Sequence, residues 1–360
     1  MKQVAMLLAA LVMVAAPGAA RAAGEPNEVK LTSELLPDPQ ALLTNARISY
    51  QNAFSIRSGK GSLMIGGSTI AIQAEVRNGI HFIGIDLNKN GTVEPSEYAP
   101  VPASRCLVVK LKAPGEKKET ALSLEDVVIT QSQSNEISGY GHCFAACCLK
   151  AQVNGATVRL IDDNNDGQIT QDGKDSIIVG NTPCAMPLFK THQIGSAICD
   201  LTVASDGSTL SWSKASDANM GIVECPLMKS AALKALILVD EAKGVAFDVV
   251  AGKASIPAGN YKLAYGFMTQ GQEKMKIRPA AKPLTYTIEP DMANTIRLGP
   301  TMHLEFGGTF TSTDVKVNPP LVEGIGGEIY EVDWKLPAAR PSIALLEGTK
   351  VLSQDSMEYG

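Results

Sequence analysis

Residues Ser68–Tyr98 read STIAIQAEVRNGIHFIGIDLNKNGTVEPSEY, and the fold follows from how they alternate. Two runs with apolar residues at every second place, Ser68–Val76 and Ile80–Ile85, flank Asn78-Gly79. Asn-Gly between such runs predicts a β-hairpin, because both central residues of a type I′ turn need positive φ. The second run leads straight into a segment rich in side-chain oxygens. The same order returns in CCLKAQV, Asn154-Gly155 and ATVRLI, followed by DDNNDGQITQDGKD from Asp162. Asn78 to Asp86 and Asn154 to Asp162 are the same number of residues apart, so the chain carries a duplicated unit of hairpin plus loop. A third pair of runs, AICDLTVAS and STLSWS, surrounds Asp206-Gly207. The expectation is a mainly β fold with little helix.

In the first loop Asp86, Asn88 and Asn90 stand on alternate residues, Gly91 follows, and Glu94 and Glu97 close the segment. This resembles the EF-hand calcium loop across its twelve positions. The resemblance assigns side-chain oxygens to Asp86, Asn88, Asn90, Glu94 and Glu97 and a backbone carbonyl to Thr92. Ca2+ is a hard cation that takes six to eight oxygens, and a glycine lets the chain bend around it. An Asx-rich turn without metal explains Asn and Asp singly, but not six matched positions in one register. The second loop matches through Asp162, Asn164, Asp166, Gly167, Gln168 (by its carbonyl) and Thr170. It departs at the twelfth position, which is Gly173; Asp172 and Asp175 flank it, and Asp175 is the expected replacement. Both flanks read as strands, so the resemblance is to the loop and not to the helix–loop–helix domain. Calcium is expected to staple hairpin ends and to offset carboxylate repulsion.

Helix signals are few: DPQALLTNA with Asp38 as N-cap and Pro39 at the first helical position, and short pieces in SLEDVV and PLMKSAALKAL. After Cys225 the cysteines stop and short strand candidates crowd together: KALILVD, GVAFDVV, YKLAYGFM, LTYTIE, TIRLG, MHLEF and DVKV. They predict a β-sandwich-like second unit. IPAGNYKLAYG resembles the turn and strand of small transthyretin-like or carboxypeptidase-regulatory-like sandwiches. The expected division is residues 1–22 as a signal peptide, 23–226 as a β domain with both loops and all cysteines, and 227–360 as the sandwich.

The signal peptide rests on Lys2, the apolar run Val4–Ala16 and the small residues ending in Ala20-Arg21-Ala22. It is too short and wrongly flanked for a transmembrane span. No later run reaches membrane length, so a periplasmic or secreted location is expected. Export into an oxidising compartment predicts two or three disulfides among Cys106, Cys143, Cys147, Cys148, Cys184, Cys199 and Cys225, with at least one thiol left over. A thiolate metal site at His142, Cys143, Cys147 and Cys148 lacks the spacing of a zinc site. A net charge of −5 without a basic run gives no electrostatic footprint for nucleic acid.

No G-x-S-x-G, H-E-x-x-H, Walker or dinucleotide motif occurs. His81 reads as an outward strand residue rather than a base. The expected function is therefore an exported, non-catalytic calcium-binding β protein, structural or adhesive at a cell envelope, with an unidentified envelope or polysaccharide partner. The alternative is a polysaccharide-active enzyme or carbohydrate-binding module with structural calcium, although an aromatic content of 5% weighs against sugar stacking.

Overall fold

The computed structural model describes residues 26–39, 42–48, 51–111, 120–182, 184–215, 219–226, 231–249, 253–270, 273–280 and 282–299. Towards the C-terminus it describes 303–305, 308–310, 315–317, 321–333, 342–347 and 349–356. The signal-peptide segment 1–22 lies outside the described residues. The protein is mainly β, as expected. Among the described residues helix is confined to the turn Asn45–Ile48 and a 3-10 turn at Pro95–Glu97.

The opening stretch folds as its alternation requires. Ser68–Arg77 pairs antiparallel with Ile80–Ile85, placing Ile72 opposite Ile85 and Ala74 opposite Ile83. Ile70, Ile72 and Ala74 are buried while the residues between them face outward. Asn78 and Gly79 take φ of 51° and 76°, and Asn154 and Gly155 take 48° and 78°, so both hairpins turn through the positive-φ pair that Asn-Gly supplies. At the third hairpin only Gly207 has positive φ, at 66°. Its connection is accordingly longer, closed by Ala204 N–H donating to the Thr209 carbonyl.

Three sheets carry the body of the molecule. An eight-stranded sheet runs, in spatial order, through Tyr98–Pro100, Ile80–Ile85, Ser68–Arg77, Lys60–Ile65, Ala53–Arg57, Ile137–Ala145, Thr120–Gln131 and Leu107–Leu111. It curves into a half-barrel around its own core, which includes Phe54, Ile56, Ile72, Ile83, Leu122 and Leu124. At Ala146 the chain leaves this sheet, and Cys147–Val153 opens a five-stranded sheet with Ala156–Ile161 and Ser176–Val179. The strand Thr32–Leu35, from near the start of the chain, pairs with Cys147–Val153. The third sheet has twelve strands, and Ala231–Asp240 lies near its middle.

That central strand explains the unbroken apolar run KALILVD. Ala235, Ile237 and Val239 pack against the five-stranded sheet, whereas Leu233, Leu236 and Leu238 pack into a second core with Val223, Phe247, Ile256 and Tyr261. A strand covered on both faces has no polar face to alternate with. This part of the molecule is thus three layers deep. The twelve-stranded sheet also passes through the boundary expected near Pro226: Thr191–Ile194 pairs in parallel with Val245–Asp248.

The helix expectations need correction. Ser123–Val128 lies inside the strand Thr120–Gln131, with Leu122 and Leu124 inward and Asp126 at φ 54° taking up an irregularity in the register. Ala231–Leu236 is strand, while residues 227–230 of the same expected helix lie outside the described residues. In DPQALLTNA the helical turn begins only at Asn45, Leu43 making a parallel bridge to Cys184 instead; Gln40 and Ala41 lie outside the described residues. In each case pairing with distant strands overrides local preference.

Disulfides are also a correction. All seven cysteine thiols are unbridged. Cys143 lies in the half-barrel core, Cys148 in a small core with Leu36 and Ile161, Cys184 and Cys199 between the five- and twelve-stranded sheets, and Cys225 in the core beyond. The sequence neighbours Cys143, Cys147 and Cys148 straddle the change of sheet at Ala146 and so belong to different layers.

Candidate metal loops

Each oxygen-rich loop begins where the second strand of a duplicated hairpin ends. In the first, Asp86 is buried and accepts two backbone donors: Asn90 N–H to Oδ1 at 2.9 Å and Gly91 N–H to Oδ2 at 2.7 Å. The Asn88 side-chain oxygen accepts from Asn90 N–H at 3.0 Å, and that of Asn90 from Thr92 N–H at 2.8 Å. Glu97, also buried, accepts from Leu87 N–H at 2.8 Å, from Asn88 N–H at 3.2 Å and from Glu94 N–H at 2.9 Å. Glu94 accepts from the Asn90 amide at 3.0 Å, and Thr92 is exposed.

The second loop repeats the bonds made at positions one, three and five. Asp162 accepts from Asp166 N–H at 3.0 Å and Gly167 N–H at 2.8 Å. Asn164 accepts from Asp166 N–H at 3.0 Å, and Asp166 from Gln168 N–H at 2.9 Å. The fourth residues, Lys89 and Asn165, have φ of 56° and 58°, and the sixth, Gly91 and Gly167, have 88° and 86°.

Asp175 stands where Glu97 stands in the first loop. One oxygen accepts from Asp163 N–H at 3.1 Å, the other from Thr170 N–H at 2.6 Å, matching the Leu87 and Glu94 donors to Glu97. The sequence departs at Gly173 for a packing reason. Its φ is 84°, and a Cβ there would lie 2.6 Å from Cζ of Phe189. A side chain at the twelfth position is sterically blocked, and a shorter carboxylate two residues on reaches the same donors.

Electrostatically the second loop is the more loaded. Burial pushes the Asp175 carboxyl up to about 7 and Asp162 up to about 6, and the charge of Asp162 adds to the rise at Asp175. Among the described residues no three His, Cys, Asp or Glu side chains gather as a compact metal cluster. The donor set of these loops is of a different kind, mixing carboxylates with Asn oxygens and carbonyls. A carboxylate or carbonyl oxygen that accepts one backbone hydrogen bond retains a further lone pair, so the set fits a hard cation of irregular coordination.

Residues between the expected ligands escaped the sequence reading. Asp163 is fully buried and accepts from Thr44 Oγ1 at 2.6 Å, Ala46 N–H at 3.1 Å and Ser176 Oγ at 3.0 Å. Only the doubled acid in Ile161-Asp162-Asp163 hints at it. Asn165, also buried, donates to the Cys143 carbonyl at 2.9 Å. Both depend on partners remote in sequence.

Comparison of the chain with protein-family models, curated proteins and solved structures finds no match. The EF-hand likeness therefore stays with the loop residues themselves. Among the described residues no helix is long and apolar enough to cross a membrane.

Proposed function

We propose that the chain is an exported calcium-binding β protein in which the ion is structural, serving a non-catalytic, structural or adhesive role at a cell envelope. One observation carries the reading: two loops, each continuing an equivalent hairpin, share the backbone bonds to their first acid, the positive-φ residues at positions four and six, and a closing carboxylate supplied from different positions. Ordinary Asx turns have no need of a closing carboxylate. In the first loop Asp86, Asn88, Asn90, Glu94 and Glu97 would hold the ion with the Thr92 carbonyl. In the second, Asp162, Asn164, Asp166, Thr170 and Asp175 would do so with the Gln168 carbonyl. Bound calcium supplies positive charge that offsets the crowding of Asp162 with Asp175, so its binding free energy appears as folding free energy. The envelope location rests on the leader pattern of residues 1–22, and an unidentified envelope or polysaccharide partner goes with it.

Calorimetry and thermal melting of residues 23–360 with calcium or chelator test the reading. Extracellular calcium modules have Kd on the order of 10⁻⁴ to 10⁻³ M, so millimolar calcium adds about 1 kcal/mol per site. The expected gain is a few degrees in Tm, smaller in magnesium. Glu97→Gln removes much of the first loop's share, and Asp175→Asn has the smaller effect. Absence of calcium heat together with an unchanged melting curve refutes calcium binding, and N-terminal sequencing that finds Met1 on the folded protein refutes export by leader cleavage.

A further inference from the structure

The two loops differ in what they touch. In the second loop the odd positions, Asp162, Asn164 and Asp166, carry the candidate ligands, and the even positions face neighbouring segments. Asp163, at position two, holds the helical turn through Thr44 and Ala46, and its carbonyl accepts from the Asn52 amide at 2.9 Å. Arg47 on that turn reaches Glu125 of the half-barrel at 2.9 Å and lies over the Phe144 ring. Asn165, at position four, accepts from Gly66 N–H at 2.6 Å and donates to the Cys143 carbonyl, both in the half-barrel. Gly167, at position six, is so close that a Cβ on it would lie 2.9 Å from the Gly66 Cα. In the first loop a Cβ on the equivalent Gly91 would meet nothing within 4 Å.

We infer that the loop Asp162–Asp175 is the pin between the half-barrel and the five-stranded sheet, and that a divalent cation held by Asp162, Asn164, Asp166 and the closing Asp175 regulates how tightly the two dock. The inference rests on the calcium reading proposed above. Its physical basis is the alternation along the loop. The side chains that would close on the ion and the groups that grip Gly66, Cys143 and Ala46 belong to successive residues. Closing the inner oxygens on an ion fixes the loop's pitch, and that pitch sets the spacing of the outer contacts. Without the ion, nothing draws the inner oxygens of Asp162, Asn164, Asp166 and Asp175 onto one centre, the loop loosens, and the grip on Gly66 loosens with it. The first loop has no such reach, so an ion there stiffens only its own hairpin.

Hydrogen exchange on the full chain, with calcium chloride or chelator, reads the coupling at amides outside both loops. Gly66 N–H, bonded to Asn165, and Ala46 N–H, bonded to Asp163, are the probes. Calcium is expected to slow their exchange by about fivefold. Asp166→Ala, an exposed position with no contact to the half-barrel among its hydrogen bonds, abolishes that response, and Glu97→Gln leaves it intact. If calorimetry shows calcium binding that Asp166→Ala weakens, but Gly66 and Ala46 exchange at one rate throughout, the coupling is refuted and the calcium reading stands. If no calcium binds, both fall.

Discussion

Gly91 and Gly167 form a matched pair on which the close approach of the second loop can be weighed. Replacing either by alanine puts a Cβ on a residue at φ of 88° or 86°, a left-handed strain of about 1–2 kcal/mol common to both. At Gly91 nothing further happens, because the added atom meets open space within 4 Å. At Gly167 the added Cβ would sit 2.9 Å from the Gly66 Cα and 3.7 Å from its carbonyl carbon. Those are backbone atoms, which cannot rotate aside as a side chain does. The two segments must part, stretching the Gly66–Asn165 and Asn165–Cys143 hydrogen bonds, each worth about 1 kcal/mol. Gly91→Ala is therefore expected to cost about 1–2 kcal/mol and Gly167→Ala about 3–4 kcal/mol. Urea unfolding followed by tryptophan fluorescence, in chelator so that ion binding does not enter, measures both. Equal losses for the two variants would refute the reasoning, since the backbone strain is shared and only the contact differs.

The remaining expectations concern buried groups. Asp163→Ala strands the Thr44, Ala46 and Ser176 donors and should cost about 3–5 kcal/mol by urea unfolding, with Asp163→Asn losing about half as much; a loss under about 0.5 kcal/mol would show that the network carries no load. His192 is fully buried, accepts from Phe189 N–H, and has its pKa pulled down to about 4 by desolvation from an ordinary 6.5. Its neutral form is favoured in the folded state, so stability drops as pH falls from 6.5 towards 4, by about 3 kcal/mol. Asp248 runs the other way: burial raises its carboxyl from 3.8 to about 7, so its contribution is full below 3.8 and is lost as pH rises through 7. Asp248→Asn, which keeps an acceptor for Leu236 N–H, should flatten that loss between pH 4 and 7, and an unaltered pH–stability curve would contradict the assignment. For the cysteines, thiol titration without reductant should find all seven reactive in denaturant. In the native protein the half-buried Cys106 and Cys147 should react first, and a titre below seven on unfolding would reveal a bridge.

What the sequence discloses here is whatever one segment settles alone. The Asn-Gly hairpins are legible because turn and alternation lie within a single stretch, and the loop oxygens because alternate residues of a tight loop share a side. Asp175 could be chosen beside Gly173 on reach, but the reason for the displacement, the Phe189 ring over Gly173, lies outside the loop. Asp163 and Asn165 were illegible for the same cause: their partners are Thr44, Ala46, Gly66 and Cys143. The run KALILVD reads as a strand, yet nothing in it tells that both its faces are covered. SLEDVV failed most plainly, because its local preference for helix is outweighed by two flanking strands.

The strands nearest the start of the chain find their partners late. Asn27–Lys30 pairs with Thr209–Trp212, and Thr32–Leu35 with Cys147–Lys150, whereas the half-barrel is complete once Ala145 is reached. A chain emerging from the amino end can therefore finish its half-barrel while the segment before it waits, extended and unpaired, for residues still to come. Joining chain segments so distant slows folding more than it weakens the folded state. Folding of the whole should accordingly have two stages, a faster closure of residues 53–145 and a slower one that weaves the first strands into the other sheets. During the interval those first strands offer free edges to any neighbouring chain. The order in which the molecule is made thus determines when it is most exposed to aggregation.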